Sequence, residues 1–188
     1  AAQVPDLAQQ MGSPENTLSA GCDFDGPYAT FPNGCYVAEV EIDPETGVLT
    51  LTRFSGFDDL GVMLSPMIAQ GQIHGGVVQG IGQAMTENTV FDPQSGQLLS
   101  GSFMDYAVPR AQDLPSLDLG FAPVPAVANP LGVKGAGEVG TIGGPAPVAM
   151  AALNALRPLG VSSLDIPLTP LRIWTAIQAA KSASEDAA

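Results

Sequence analysis

Apolar and acidic residues alternate along Tyr36-Val37-Ala38-Glu39-Val40-Glu41-Ile42-Asp43, the period of a strand with one buried face. A turn at Pro44-Glu45-Thr46-Gly47 follows, and Val48-Leu49-Thr50-Leu51-Thr52-Arg53-Phe54 resumes the alternation, so the two runs predict a β-hairpin. The same pattern predicts a second hairpin, in which Thr89-Val90-Phe91 and Gln97-Leu98-Leu99-Ser100 flank a turn at Asp92-Pro93-Gln94-Ser95-Gly96. Between the hairpins the period lengthens to that of a helix. Ile73, Val77, Ile81 and Met85 recur every fourth residue in a helix predicted from Ser65 as cap, through Pro66 at its first position, to Glu87.

That helix has two unlike faces. Gln72, Gly76, Gln79 and Gln83 run nearly opposite the apolar stripe. Glycines at 71, 75, 76, 80 and 82 each cost about 1 kcal/mol relative to alanine, so close approach of another backbone or of a flat polar ligand is expected to compensate. His74, the single histidine, falls beside the apolar stripe and reads as a partly buried structural residue. Gln79 is the better ligand candidate, because a buried amide offers both donors and acceptors to a heterocycle.

Two more helices are predicted. Pro145 to Arg157 is started by prolines and stopped at Pro158 and Gly160. Thr169 caps the last one, with Pro170 at its first position and Ile173, Trp174 and Ile177 on its buried side. Residues 1–30 are polar and turn-rich and read as an irregular lead-in, and the small, acidic residues 182–188 read as a frayed tail. The expected fold class is α+β, with β-hairpins packed against three main helices in a loop-rich chain.

Composition narrows the function classes. The 188 residues are 45% hydrophobic and only 13% charged, rich for an independent domain. Six Lys and Arg against 19 Asp and Glu give a formal charge of −13, which repels nucleic acid and anionic membrane surfaces, so neither is an expected partner. Gly at 22 and Pro at 17 suggest functional loops. Cys22 and Cys35 have no nearby histidine and fit neither a zinc nor an iron–sulfur pattern, so no protein-ligated metal is expected. No run of 18 apolar residues is present, and no membrane span is expected. The chain starts without methionine and shows no signal peptide; a cytoplasmic location is expected, with a periplasmic one left open.

The densest chemistry lies in Asn129-Pro130-Leu131-Gly132-Val133-Lys134-Gly135-Ala136-Gly137-Glu138-Val139-Gly140. Flanking glycines can aim the Glu138 carboxylate into a pocket, although a solvated turn residue is the plainer alternative. Gly135 to Gly140 also spells G-x-G-x-x-G. A dinucleotide fingerprint needs a strand entering the loop, a helix leaving it at once and an acid about 20 residues on. Here no strand is predicted, the helix is expected to start late, and no acid occurs before Asp165.

Four separated segments together resemble a known family. They are Gly71-Gln72-Ile73-His74-Gly75-Gly76-Val77-Val78-Gln79-Gly80-Ile81-Gly82-Gln83-Ala84, the run Gly101 to Arg110, Gly132 to Gly143, and Asp165-Ile166-Pro167-Leu168-Thr169-Pro170. In order and spacing they resemble the molybdopterin-binding large subunit of the xanthine dehydrogenase/aldehyde oxidase family, the molybdenum hydroxylases. The resemblance implies that residues 31–188 are the C-terminal part of the molybdopterin-binding catalytic domain, with upstream segments on another polypeptide or cleaved away. It implies molybdopterin, with or without a cytosine nucleotide, and molybdenum held by the pterin rather than by side chains. Iron–sulfur clusters and FAD, or another electron-transfer group, are expected on partner subunits.

Carried over by position, Glu138 matches the family's active-site glutamate. As general base it would take the proton from a molybdenum-bound hydroxyl, whose oxygen attacks an electron-poor carbon of an aldehyde or aromatic N-heterocycle. Dry, uncharged surroundings would make it a competent base near neutral pH. Gln79 matches the glutamine that meets the pterin, and Gly80, Gly135 and Gly137 allow close backbone approach. Lys134 orients the loop or meets an anionic group. Asp59-Leu60-Gly61-Val62-Met63-Leu64-Ser65 departs from the commoner Asp-Cys-Gly form, which bears on local packing. Two other readings remain, a non-catalytic assembly domain docking the other subunits and a nucleotide module.

Overall fold

The structure, a computed structural model, describes residue 26 and residues 28–185. Most of the expected lead-in, Cys22 and the last three residues of the expected tail lie outside the described residues. Strands β1 (Asn33–Ile42), β2 (Leu49–Asp59) and β3 (Leu117–Phe121) form one sheet in that order. Helices are α1 (Pro66–Met85), α2 (Val139–Gly143), α3 (Pro145–Leu156) and α4 (Pro170–Glu185). The α+β expectation with three main helices holds.

The first hairpin forms as its alternation predicts. β1 and β2 are antiparallel, from Asn33 opposite Asp59 to Ile42 opposite Leu49. Its turn is built by Asp43, whose carboxylate accepts from the Glu45 N–H at 2.9 Å and the Thr46 hydroxyl at 2.7 Å, with Gly47 at φ 74°. A register shift between Glu39 and Val40 moves the buried series from Leu49 and Leu51 to Phe54, Gly56 and Asp58. β3 was not predicted and pairs parallel to β2, with Phe54 opposite Leu117.

The second hairpin shrinks to a single bridge between Phe91 and Leu98. Its turn forms, with Gly96 at φ 71° and Asp92 accepting from Ser95, but Phe91 and Leu99 are more than half exposed. With neither face buried, nothing within the chain extends the pairing.

α1 follows its predicted bounds closely. Ser65 stands at the N-cap in an extended conformation, without a side-chain cap bond, and Pro66 opens the helix. Ile73, Val77, Ile81 and Ala84 enter the core, joined by Phe54, Val148, Ala152, Leu156, Ile173 and Ile177. His74 is half-buried, with its Nδ1 bonded to the Gln70 carbonyl at 2.8 Å, a local structural role as expected. On α4, Thr169 Oγ1 accepts from the Arg172 N–H, and Ile173 and Ile177 are fully buried. Trp174 corrects the prediction: it is 41% exposed, lying beside the Gly47 turn at the rim of the core. The expected fraying from Ser182 is also corrected, since α4 continues to Glu185. Ile177→Val removes one methylene from a fully buried site, so a loss of about 0.5–1.5 kcal/mol is expected in denaturant unfolding.

Helix α2 is the other correction. It starts at Val139, directly after Glu138, rather than late. Gly140 and Gly144 cross Gly76 and Gly80 of α1 so closely that a Cβ on Gly140 would stand 2.5 Å from the Val77 nitrogen and 2.7 Å from the Ile73 oxygen. Backbone contact therefore compensates for Gly76 and Gly80, whereas nothing lies near the Cβ positions of Gly71 and Gly75. The run Val139–Leu159 is long and apolar enough by composition to cross a membrane. It is broken at Gly144–Pro145, and Val148, Ala152 and Leu156 bury one of its faces in the core against the sheet and α1, the arrangement of a core segment.

Candidate functional site

Glu138 caps α2 without using its carboxylate, since the side chain makes no capping bond. It lines a cavity of about 480 Å³ with Gly135, Gly137, Tyr36 and Ile142. The carboxylate is exposed, so this chain alone does not supply the dry surroundings expected of it.

The glutamine side of α1 reaches the glycine loop. Gln72 Nε2 donates to the Gly137 carbonyl at 3.0 Å. Thr141 Oγ1 is within 3.2 Å of both the Gly76 carbonyl and Gln79 Oε1. Gln79 is exposed, not buried as expected, and its bond to Thr141 engages the oxygen, leaving the amide nitrogen with no partner within the described residues. The helix face that carries Gln79 and the loop that carries Glu138 thus adjoin as two walls.

The glycines divide into two kinds. Gly80 is buried, with Gly144 and Pro145 against its Cβ position, so its smallness serves the helix crossing rather than an open surface. Gly135 and Gly137 have no atom within 4 Å of a built Cβ, which leaves bare backbone beside Glu138. Packing within the chain does not explain why those two positions lack side chains.

Lys134 is turned away from an exposed ligand role. Its ammonium donates to Asp59 Oδ2 at 2.5 Å, and both side chains are mostly shielded. Asp59 Oδ1 also accepts from Gly61 at 2.9 Å and Val124 at 2.8 Å, so one carboxylate joins three loops at the end of β2. Val133 bridges Gly61, and the Lys134 N–H reaches the Leu60 carbonyl at 3.0 Å. Of the two expectations for Lys134, orientation of the loop is the one these bonds support. Sequence reasoning passed over Asp59 as a partner; its only signal was an acid beside Gly61, far from the loop.

The Lys134 bond, followed by the two backbone N–H donors, holds the Asp59 carboxyl down at about 2. A lowered carboxyl pKa contributes stability that is present above the ordinary value of 3.8 and lost as pH falls through about 2. The gap in melting temperature between the parent and Asp59→Asn should therefore narrow as pH falls across that window. A gap independent of pH there would count against the ion pair.

A second acid, Asp58, is 1% exposed and accepts the Tyr36 hydroxyl at 2.7 and 2.8 Å. Burial pushes its pKa up while the Tyr36 bond opposes that rise; burial and then Asp58 push the Tyr36 phenol well up. Among the described residues no cluster of three His, Cys, Asp or Glu could hold a metal ion. The bare loop at Gly135 and Gly137 and the free Gln79 amide suit a flat, hydrogen-bonding ligand.

Known proteins resemble this chain over most of its length. A family model described as a molybdopterin cofactor-binding domain matches residues 3–115. The carbon monoxide dehydrogenase large chain of Hydrogenophaga pseudoflava is 37% identical over 164 residues, 87% of this chain and 20% of its own. The nicotine 6-hydroxylase large subunit of Paenarthrobacter nicotinovorans is 39% identical over 143 residues, covering 76% of this chain and 17% of its own. In structure, the reconstituted CO dehydrogenase from Oligotropha carboxidovorans superposes with a TM-score of 0.81 at 32% identity, covering 85% of this chain and 20% of that one. The chain thus spans about a fifth of the length of these relatives. By sequence and by fold, this chain belongs to the molybdopterin cofactor-binding domain family and corresponds to part of a molybdopterin-binding large subunit.

Proposed function

We propose that the chain is part of a molybdenum hydroxylase that oxidises an aldehyde or an aromatic N-heterocycle with oxygen drawn from water, and that Glu138 is its general base. The observation that carries this reading is the junction of the two walls, where Gln72 and Thr141 tie the glutamine side of α1 to the loop that presents Glu138. The bound molybdopterin would supply the two-electron redox chemistry. Gln79 would offer its amide N–H groups to the pterin, while Gly135 and Gly137 let the loop backbone lie against it. Gly80 contributes indirectly by seating α1 on α2, and Lys134 by fixing the loop on Asp59. Glu138 would accept a proton at a carboxylate oxygen, with the cavity as the approach of the substrate.

The catalytic unit would span residues 31–188 together with a chain carrying the N-terminal part of the subunit. Many large apolar side chains stay exposed here, including Met67 at 80%, Met104 at 92% and Ile142 at 75%, which favours extensive cover by partner polypeptide. An iron–sulfur subunit and a subunit with FAD or another electron carrier would complete a cytoplasmic enzyme, its pterin with or without a cytosine nucleotide. The same exposed surface favours the second reading, a non-catalytic assembly domain. Glu138→Gln in the assembled complex separates them: lost turnover with molybdenum retained supports catalysis, and an unchanged rate supports assembly only.

A further inference from the structure

Tyr36 and Asp58 form the most buried polar pair near the candidate site, and no step above uses them. The register sets Gly34 opposite Asp58 and Tyr36 opposite Gly56, so the two side chains meet on the core-facing side of neighbouring strands. The Tyr36 ring is confined on two sides. A Cβ built on Gly56 of β2 or on Gly143 of α2 would fall within the ring's own contact distance. Phe54 packs against a third part of it, with ring centroids 5.6 Å apart. The hydroxyl is fixed by both oxygens of Asp58, whose burial leaves the carboxylate no other side-chain donor within the described residues.

Gly143 ends the five-residue helix that Glu138 opens. One turn earlier α2 rests through Gly140 on the backbone of α1, so the helix is held at adjacent sides by α1 and by the tyrosine ring. Tyr36 also lines the cavity that Glu138 lines. We infer that Tyr36, locked by Asp58, is a positioning residue for Glu138: its ring is the stop that fixes α2, and with it the carboxylate, relative to the cavity. This deepens the general-base reading and rests on it. The benefit is geometric, because a displacement of about 1 Å at a catalytic group can cost on the order of a hundredfold in rate.

The test is amide exchange in the assembled complex, read by mass spectrometry over residues 138–144. The amides of Ile142 and Gly144, bonded to the carbonyls of Glu138 and Gly140 at 2.9 and 2.8 Å, report on α2 directly. Tyr36→Phe keeps the ring and removes the hydroxyl; protection over 138–144 should fall roughly tenfold while α4 is unchanged. Asp58→Asn, in the parent background, keeps an oxygen for the hydroxyl and should hold protection within about threefold of the parent. Parent-like exchange over 138–144 in Tyr36→Phe, or equal losses in α2 and α4, would overturn the inference. Should Tyr36→Phe fail to assemble, Gly143→Ala presses the same contact from the other side, and parent-like exchange there would overturn it equally. Turnover of Glu138→Gln in the same complex keeps the two ideas apart, since a parent-like rate sinks the base and leaves the exchange result standing.

Discussion

Turnover of the assembled enzyme should fall by roughly 10²–10⁴-fold when Glu138 becomes glutamine, the range for removing a general base. Glutamine keeps the size of the side chain and its hydrogen-bonding capacity but cannot accept the proton. The substitution should leave the fold intact, because the carboxylate is exposed and makes no capping bond. Pterin and molybdenum content should therefore stay at parent levels, and the loss should appear in kcat more than in KM. A variant that lost cofactor along with activity would instead give Glu138 a binding role.

A large loss of stability is expected at Gly140. Alanine there places a methyl 2.5 Å from the Val77 nitrogen, 2.7 Å from the Ile73 oxygen and 2.9 Å from the Gly76 carbonyl carbon. All three are backbone atoms of a helix and cannot rotate aside. Overpacking of this kind costs about 2–3 kcal/mol, or roughly 5–10 °C in melting temperature for a chain of this size. Gly76→Ala meets its nearest atoms at 3.1 and 3.2 Å and should cost less. Gly75→Ala meets nothing within 4 Å and should be neutral or stabilising through helix propensity. Thermal melts of the three variants should rank in that order. Equal melts would mean that the helices can separate without cost.

The elements legible in sequence are those whose burial follows a local period. Tyr36 to Phe54 alternates and buries one face, and Ile73, Val77 and Ile81 recur at helical spacing and are buried. Where tertiary contact decides, local pattern fails. Leu117-Asp118-Leu119-Gly120-Phe121 is too short to stand out, and becomes a strand only by pairing with β2. Val139-Gly140-Thr141-Ile142-Gly143 has poor helix propensity and is helical because α1 accepts its glycines. The converse holds at Val90 and Leu98, whose turn chemistry is sound but whose sides stay open to solvent.

The site was legible as two glycine-marked segments, and the structure adjoins them through Gln72 and Thr141. Roles within them were less legible, because a glycine needed for crossing helices and one left bare look alike in sequence. Gly80 belongs to the first kind, Gly135 and Gly137 to the second. Asp59 and Asp58 were invisible as partners of Lys134 and Tyr36, since 75 and 22 residues separate the pairs. Adjacent in sequence, they point to opposite sides of β2, one fixing the loop and the other the tyrosine.

A structure of the native assembly with its pterin bound tests the site most directly. The pterin should lie against the Gln79 amide and the loop at Gly135 and Gly137, with the Glu138 carboxylate facing the molybdenum ligands across the cavity. A pterin bound away from these residues, with Glu138 directed to solvent, would contradict this arrangement.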